Sequence, residues 1–432
     1  MHTLKQLRSG ALAGTQTLRL SGGLSEFPRE ILDLAPTLEI LDLSGNALSA
    51  LPDDLHRLDK LRILFCSNNA FSELPPVLGS CPSLTMIGFK ANRIRTVPAE
   101  ALPPGLRWLI LTDNAIETLP PEIGRCARLQ KLMLAGNRLE HLPRTLSACA
   151  DLELLRLSAN RLTGLPPWLF TLPRLSWLAF AGNPLTAARD EAPFPPGPAI
   201  AWDALHLETV LGEGASGVIH RATRRDGTAV AVKVFKSAVT SDGLPHSEMH
   251  ACLDAGPHLN LIPVLGRVTG HPEGRDVLAM RLIDPAFVPL AGPPSFATCT
   301  RDVYADDARF TRDTALRIAT GIAAAARHLH AHGLMHGDLY AHNILYALGH
   351  EPLIGDFGAA TPYPGEDGPA LQRLEVRAFG CLLEELLARC DASSAVEDLT
   401  RLAAACLNET PAERPLFEEI EDRLRRHLSR PI

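Results

Sequence analysis

Seven leucines set a period that dominates the first half of the chain. Leu38, Leu61, Leu84, Leu106, Leu129, Leu152 and Leu175 follow one another at intervals of 23, 23, 22, 23, 23 and 23 residues. Each opens the pattern L-x-x-L-x-L-x-x-N-x-L-x-x-L-P, with asparagines at Asn46, Asn69, Asn92, Asn114, Asn137, Asn160 and Asn183. A degenerate earlier copy covers Leu18, Leu20 and Pro28. Such self-similarity predicts stacked coils in which each coil contacts only its neighbours. Leucines alternating at the third and fifth offsets predict a short strand with one buried face. The repeated asparagine can bond backbone groups where each coil turns, and the L-P step forces the chain out of the strand.

Over about 180 residues this pattern resembles the leucine-rich repeat family. The resemblance implies a right-handed α/β solenoid of about eight repeats over residues 1–188. Cys81, Cys126 and Cys149 share one offset with Leu58 and Leu172, which reads as a stacked core position. The outward strand offsets carry Phe65, Met86, Trp108, Ile110, Met133, Leu154 and Trp177. An apolar stripe on the concave face reads as a surface for a protein partner, with Phe65, Trp108 and Trp177 as anchors. Packing against the rest of the chain and self-association are the competing readings.

Composition bounds the rest. Of 432 residues, 46% are hydrophobic and 21% charged, enough for two to four domains with real cores. Residues 1–200 hold 20 basic and 18 acidic residues, residues 201–432 hold 22 and 31, and the net charge is −7. Neither half has the basic excess of a nucleic-acid or anionic-membrane binder, so no nucleic-acid partner is expected. The nine cysteines include no C-x-x-C pair, which fits a reducing compartment. MHTLKQLRSGALAG lacks the apolar core of a secretory signal, and no apolar run reaches about 18 residues. A cytoplasmic protein with no membrane span is the expectation. Four prolines and one glycine in TAARDEAPFPPGPAIA end the repeats and predict a stiff linker over 189–202.

Beyond the linker, Leu211-Gly212-Glu213-Gly214-Ala215-Ser216-Gly217-Val218-Ile219 forms a G-x-G-x-x-G loop. It is followed by a β-rich stretch and Val230-Ala231-Val232-Lys233, then by His336-Gly337-Asp338 through Asn343, then by Asp356-Phe357-Gly358. Four motifs in this order resemble the eukaryotic-type protein kinase family over residues 203–432. The resemblance implies a two-lobed α+β fold that binds ATP and Mg²⁺. The loop Leu211–Ile219, with Ala231 and Met280, borders the nucleotide, and Met280 takes the gatekeeper position. Lys233 meets the α- and β-phosphates, and Glu248 in HSEMHACL holds Lys233. Asn343 and Asp356 supply hard oxygen ligands for Mg²⁺. Asp338 orients the attacking hydroxyl and accepts its proton.

The chain departs from that family in several places. Gly337 stands where an arginine usually precedes the catalytic aspartate, so a phosphate on the activation segment has no obvious receiver. Tyr340 replaces a lysine, and His342 occupies the position where tyrosine kinases place an arginine. Glu375, which resembles the start of a helix, follows Asp356 by only 19 positions, and no A-P-E motif lies between. The hydroxyls there are Thr361 and Tyr363, flanked by Pro362, Pro364 and Pro369. Arg414 matches an arginine whose usual glutamate partner is missing. Pro285–Arg309 reads as a surface insertion, and His328, His330 and His332 as a polar helix end. The leading expectation is a serine/threonine protein kinase that recruits its substrate or regulator through the repeats. An ATP-binding pseudokinase scaffold and a kinase for a non-protein hydroxyl remain alternatives.

Overall fold

The computed structural model describes residues 2–190, 192–195, 197–236, 239–363, 365–390 and 396–428. Glu191 and Pro196 of the linker and Pro364 after the D-F-G lie outside the described residues. The chain divides into two compact units, Met1–Arg174 and Leu175–Ile432.

The first unit opens with α1 (Leu4–Arg8), whose Thr3 cap accepts from Gln6 N while Gln6 reaches back to Thr3 N. Its strands are β1 (Thr17–Arg19), β2 (Ile40–Asp42), β3 (Ile63–Phe65), β4 (Met86–Gly88), β5 (Trp108–Ile110), β6 (Lys131–Met133) and β7 (Leu154–Arg156). All pair in parallel, one repeat in register with the next, as Ile63 opposite Met86 and Trp108 opposite Lys131. The central residue of every strand, leucine in all but β4, where it is Ile87, is buried. Each coil returns through 3₁₀ turns such as Pro76–Ser80 and Pro121–Arg125. A proline opens many of these turns, where its missing N–H leaves no bond unmade.

The asparagines perform the role read from the pattern. Asn137 Nδ2 donates to Leu111 O and Leu134 O, both at 2.9 Å, and its Oδ1 accepts from Ile116 N at 3.0 Å. Asn114 and Asn160 repeat this with their own neighbours. One side chain thus ties two adjacent coils. Cys81, Cys126 and Cys149 are buried in the stacked position, and burial raises their thiols to about 11, 11 and 12.

The second unit opens with the last repeat strand, β8 (Trp177–Ala179), then α2 (Ala187–Asp190) and β9 (Ala199–Ala201). A small lobe follows: β10 (Leu205–Glu213), β11 (Gly217–Arg224), β12 (Ala229–Phe235), α3 (Pro245–Asp254), β13 (Val264–Thr269) and β14 (Val277–Arg281). Its sheet runs β10-β11-β12-β14-β13-β9. The end of the linker is therefore a sheet strand rather than a spacer, with Ile200 paired to Val268 and buried among Val230, Val232 and Val277.

The large lobe comprises β15 (Val288–Pro289), α4 (Arg312–Ala331), β16 (Leu334–Met335), β17 (Ile344–Tyr346), β18 (Leu353–Ile354), β19 (Thr361–Pro362), α5 (Gly368–Leu387), α6 (Val396–Cys406) and α7 (Phe417–Leu428). Glu375 stands inside α5, which begins at Gly368, and not at its start. The insertion is an ordered part of this lobe. Arg301 bonds Glu385 at 2.7 Å and Glu384 at 2.8 Å on α5, and the Arg389 guanidinium lies 3.7 Å over the Tyr304 ring. Arg414 is buried and donates to the backbone carbonyls Asn408 O and Arg373 O. Burial and nearby Arg377 lower its pKa to about 10.

Candidate active site

The glycine loop is the turn of the β10–β11 hairpin, where Gly212 pairs with Ile219, Glu213 with Val218, and Gly214 N donates to Gly217 O at 2.9 Å. Lys236 clasps this turn through Glu213 Oε1 at 2.7 Å and Gly214 O at 3.0 Å. Open space lies where a Cβ would stand on Gly212 and Gly214. Internal packing does not demand glycine there, and the backbone is left open to close approach.

Half-buried Lys233 on β12 forms an ion pair with buried Glu248 on α3. Burial favours the neutral amine, but the carboxylates of Glu248 and Asp356 more than offset it and raise the Lys233 pKa. A cavity of about 670 Å³ opens here. Of the residues expected at the nucleotide, Leu211, Gly214, Ala215, Ser216, Gly217, Ile219, Ala231, Lys233 and Met280 line it, together with Glu248 and Asp356. Gly212, Glu213 and Val218 belong to the hairpin but not to the lining. Ile262, Val264, Leu278 and Leu345 also line it, apolar positions that no motif marks.

The β17–β18 hairpin brings the remaining polar residues together. Ile344 pairs with Ile354, and Gly355 N donates to Asn343 O at 3.1 Å, which sets Asn343 beside the turn into Asp356. Asn343 Nδ2 donates to Asp338 O and Asp338 Oδ2, both at 2.9 Å. Its nitrogen is thereby committed, and the amide oxygen remains as a hard donor. Asp356 is exposed and holds φ at 56°, a conformation rare outside glycine that clusters at functional sites. This pair of oxygen donors fits Mg²⁺. His336 Nε2 donates to Gly355 O at 2.9 Å and braces the same turn.

His342 has a partner that sequence spacing does not reveal. Its Nδ1 donates to Asp302 Oδ1 at 2.7 Å and its N to Asp302 Oδ2 at 3.0 Å, and Asp302 comes from the buried part of the insertion. Burial favours the neutral ring, but Asp302, with Asp338 and Asp356 nearby, raises the His342 pKa. Gly337 N donates to Glu375 Oε1 at 2.7 Å. Of the neighbouring histidines, His330 is buried against Glu375, and no group of three metal-ligating side chains occurs among the described residues.

The expected partner surface is less uniform than its sequence. Phe65, Trp108, Ile110 and Met133 are half-buried, while Met86 and Leu154 are buried. Trp177 is not an open anchor. It is 1% exposed and stacks on Tyr340.

A protein kinase domain model matches residues 205–379, and leucine-rich repeat models match 37–58, 104–162 and 127–185. A probable LRR receptor-like serine/threonine-protein kinase of Arabidopsis thaliana is 27% identical over 219 residues, 43% of this chain and 34% of the relative. A second from that plant is 30% identical over 165 residues, 37% of this chain and 25% of the relative. An LRR receptor kinase of Oryza sativa subsp. japonica is 26% identical over 216 residues, 44% of this chain and 33% of the relative. The chain thus spans about a third or less of the length of the curated relatives it matches. Among the described residues no helix is long and apolar enough to cross a membrane.

Proposed function

Because the chain joins leucine-rich repeats to a protein kinase domain, we propose that it transfers the γ-phosphoryl group of Mg-ATP to serine or threonine hydroxyls of a protein substrate. The observation that carries this reading is the Lys233–Glu248 ion pair lining one cavity with Asp356. Asn343 and Asp338 are bonded to each other on the adjoining catalytic loop.

Each side chain has a task in that reaction. Lys233 neutralises phosphate charge, and the open backbone of Gly214 admits the phosphates. Asn343 and Asp356 are the residues that would hold Mg²⁺, which supplies charge neutralisation at the phosphates. Asp338 accepts the proton of the acceptor hydroxyl as its oxygen bonds to the γ-phosphorus. The bond from that phosphorus to the β,γ-bridging oxygen breaks, and ADP leaves. His342, held by Asp302 with its pKa raised, stands near Asp338 where the family places a lysine or arginine.

The repeats recruit substrate or regulator through Phe65, Trp108, Ile110 and Met133. Tethering of this kind offsets a short activation segment by raising effective concentration. A cytoplasmic setting belongs to the proposal and is supported by nine free thiols.

The test is incubation with γ-labelled ATP and Mg²⁺ beside Asp338→Ala and Lys233→Ala. Label transferred to the chain or a general acceptor, and lost in both variants, is the expected result. ATP binding that Lys233→Ala weakens, with no transfer to any acceptor, would replace the kinase by a nucleotide-binding scaffold. Trp108→Ala with Met133→Lys is expected to weaken recruitment of a protein substrate while leaving transfer to a short peptide intact. Unchanged recruitment removes the role given to the repeats.

A further inference from the structure

The last repeat strand lies along the catalytic loop. Trp177 is 1% exposed, and its indole stacks on the Tyr340 ring with centroids 4.2 Å apart and planes 6° from parallel. Its Nε1 donates to Leu339 O at 3.1 Å. Phe180 N donates to Thr361 Oγ1 at 3.2 Å, and Thr361 in turn donates to Ala359 O at 3.0 Å. Arg377 Nη1 donates to Ser176 Oγ at 2.8 Å. At Gly337, a Cβ would stand 2.7 Å from Leu178 O and 2.5 Å from Ala359 O.

Together these contacts bear on one point. Asp338 lies between Gly337, which this strand crowds, and Leu339, whose carbonyl it holds. The carbonyl of Leu178 stands where a side chain at 337 would have to emerge, so an arginine cannot occupy that position without moving the strand. Thr361 and Tyr363, the hydroxyls after the D-F-G, are both buried. Order in this loop therefore comes from inside the chain and not from a phosphate added to the segment.

We propose that the last repeat strand is a positioning element of the catalytic loop, and that Trp177 is the residue through which it acts. Trp177 touches no substrate in this account and does not line the nucleotide cavity. It holds the peptide on the C-terminal side of Asp338 and covers Tyr340, so that the carboxylate meets the acceptor hydroxyl in one orientation. The departures at Gly337 and Tyr340 are then the complement of this strand and not signs of a dead enzyme. The proposal rests on the kinase reading above.

The experiment compares the full chain with Trp177→Leu, Trp177→Phe and Trp177→Ala in steady-state transfer to a general protein acceptor. Trp177→Leu keeps an apolar side chain and loses both the stack and the N–H. It is expected to lower kcat about 10- to 100-fold with KM for ATP changed less than about twofold. Trp177→Phe restores the stack and recovers most of kcat. Hydrogen exchange over residues 336–343 is expected to quicken in Trp177→Leu and Trp177→Ala but not in Trp177→Phe. Phosphatase treatment is expected to leave the wild-type rate unchanged. A folded Trp177→Leu with wild-type kcat overturns the proposal, as does a raised kcat, which would make the strand a brake. Equal losses in kcat and ATP affinity would also overturn it, by reducing Trp177 to general stability. A wild-type chain that transfers to no acceptor overturns the kinase reading and this proposal with it.

Discussion

Gly337 and Glu375 are joined across the large lobe by a 2.7 Å bond from the Gly337 N–H to Oε1, while Oε2 accepts from His330 Nε2 at 2.6 Å. The carboxylate is fully buried, and burial alone pushes it toward the neutral form. The His330 hydrogen bond, with the nearby His330 and His336 rings and the Gly337 N–H, more than offsets that and holds Glu375 below its ordinary 4.5. A carboxylate with a depressed folded pKa contributes stability above the unfolded value, and that contribution fades as pH falls through the folded one. Glu375→Gln is expected to lose about 2 kcal/mol at pH 7, since a neutral amide replaces the charged acceptor of the His330 and Gly337 hydrogen bonds. In urea unfolding the gap between the two proteins should narrow as pH falls below about 4.5. A gap that stays constant down to pH 3 would show that the carboxylate charge is not what matters.

Gly337 is constrained from three sides. Its φ is 71°, its N–H is committed to Glu375, and backbone carbonyls occupy the space of a Cβ. A side chain here incurs the left-handed penalty and also displaces Ala359 or Leu178. Gly337→Ala is expected to lose about 2–4 kcal/mol, read as a lowered thermal midpoint. Gly337→Arg, which installs the residue common in the family, is expected to be no better in stability and to gain no activity. A folded and faster Gly337→Arg enzyme would overturn this account of the loop.

Two carboxylates face Lys233 and favour its charged form, and Glu248 is the one bonded to it. Glu248→Gln keeps a hydrogen-bond acceptor but removes the charge that fixes the ammonium. Transfer is expected to fall by about 100-fold, with a smaller loss in ATP affinity measured by nucleotide titration. An unchanged rate would show that Lys233 is positioned by other means.

Much of this architecture was legible in the sequence because its signals are local. A 23-residue period sets strand, turn and core; Lys233 sits on β12, and the motif residues at 338, 343 and 356 fall in or beside the short connections between β16, β17, β18 and β19. What escaped depends on partners distant along the chain. Repeat spacing says which way the Trp177 side chain leaves its strand but not that Tyr340, 163 positions later, covers it. Asp302 carries no spacing to His342, because an insertion brings it there. The three residues of β9 are too few for alternation to distinguish a sheet edge from a linker. The apolar cavity wall of Ile262, Val264, Leu278 and Leu345 is shared by two lobes, so no single segment displays it.

One backbone feature of the solenoid was hidden by residue identity. The position just before each repeated asparagine is left-handed in all seven copies: φ lies between 53° and 73° at Gly45, Asn68, Ala91, Asp113, Gly136, Ala159 and Gly182. Glycine takes this conformation without penalty, and Asn68 and Asp113 tolerate it, but Ala91 and Ala159 carry a Cβ there. The left-handed state costs an alanine about 1–2 kcal/mol, and glycine gives back about 0.5–1 kcal/mol in chain entropy. Ala91→Gly and Ala159→Gly are each expected to stabilise the chain by about 0.5–1 kcal/mol. The two sites are three repeats apart and share no partner, so the gains should add. Urea unfolding of the two single variants and the double variant checks this. A loss of stability in Ala91→Gly would mean that the buried part of its methyl contributes more than the backbone strain removes.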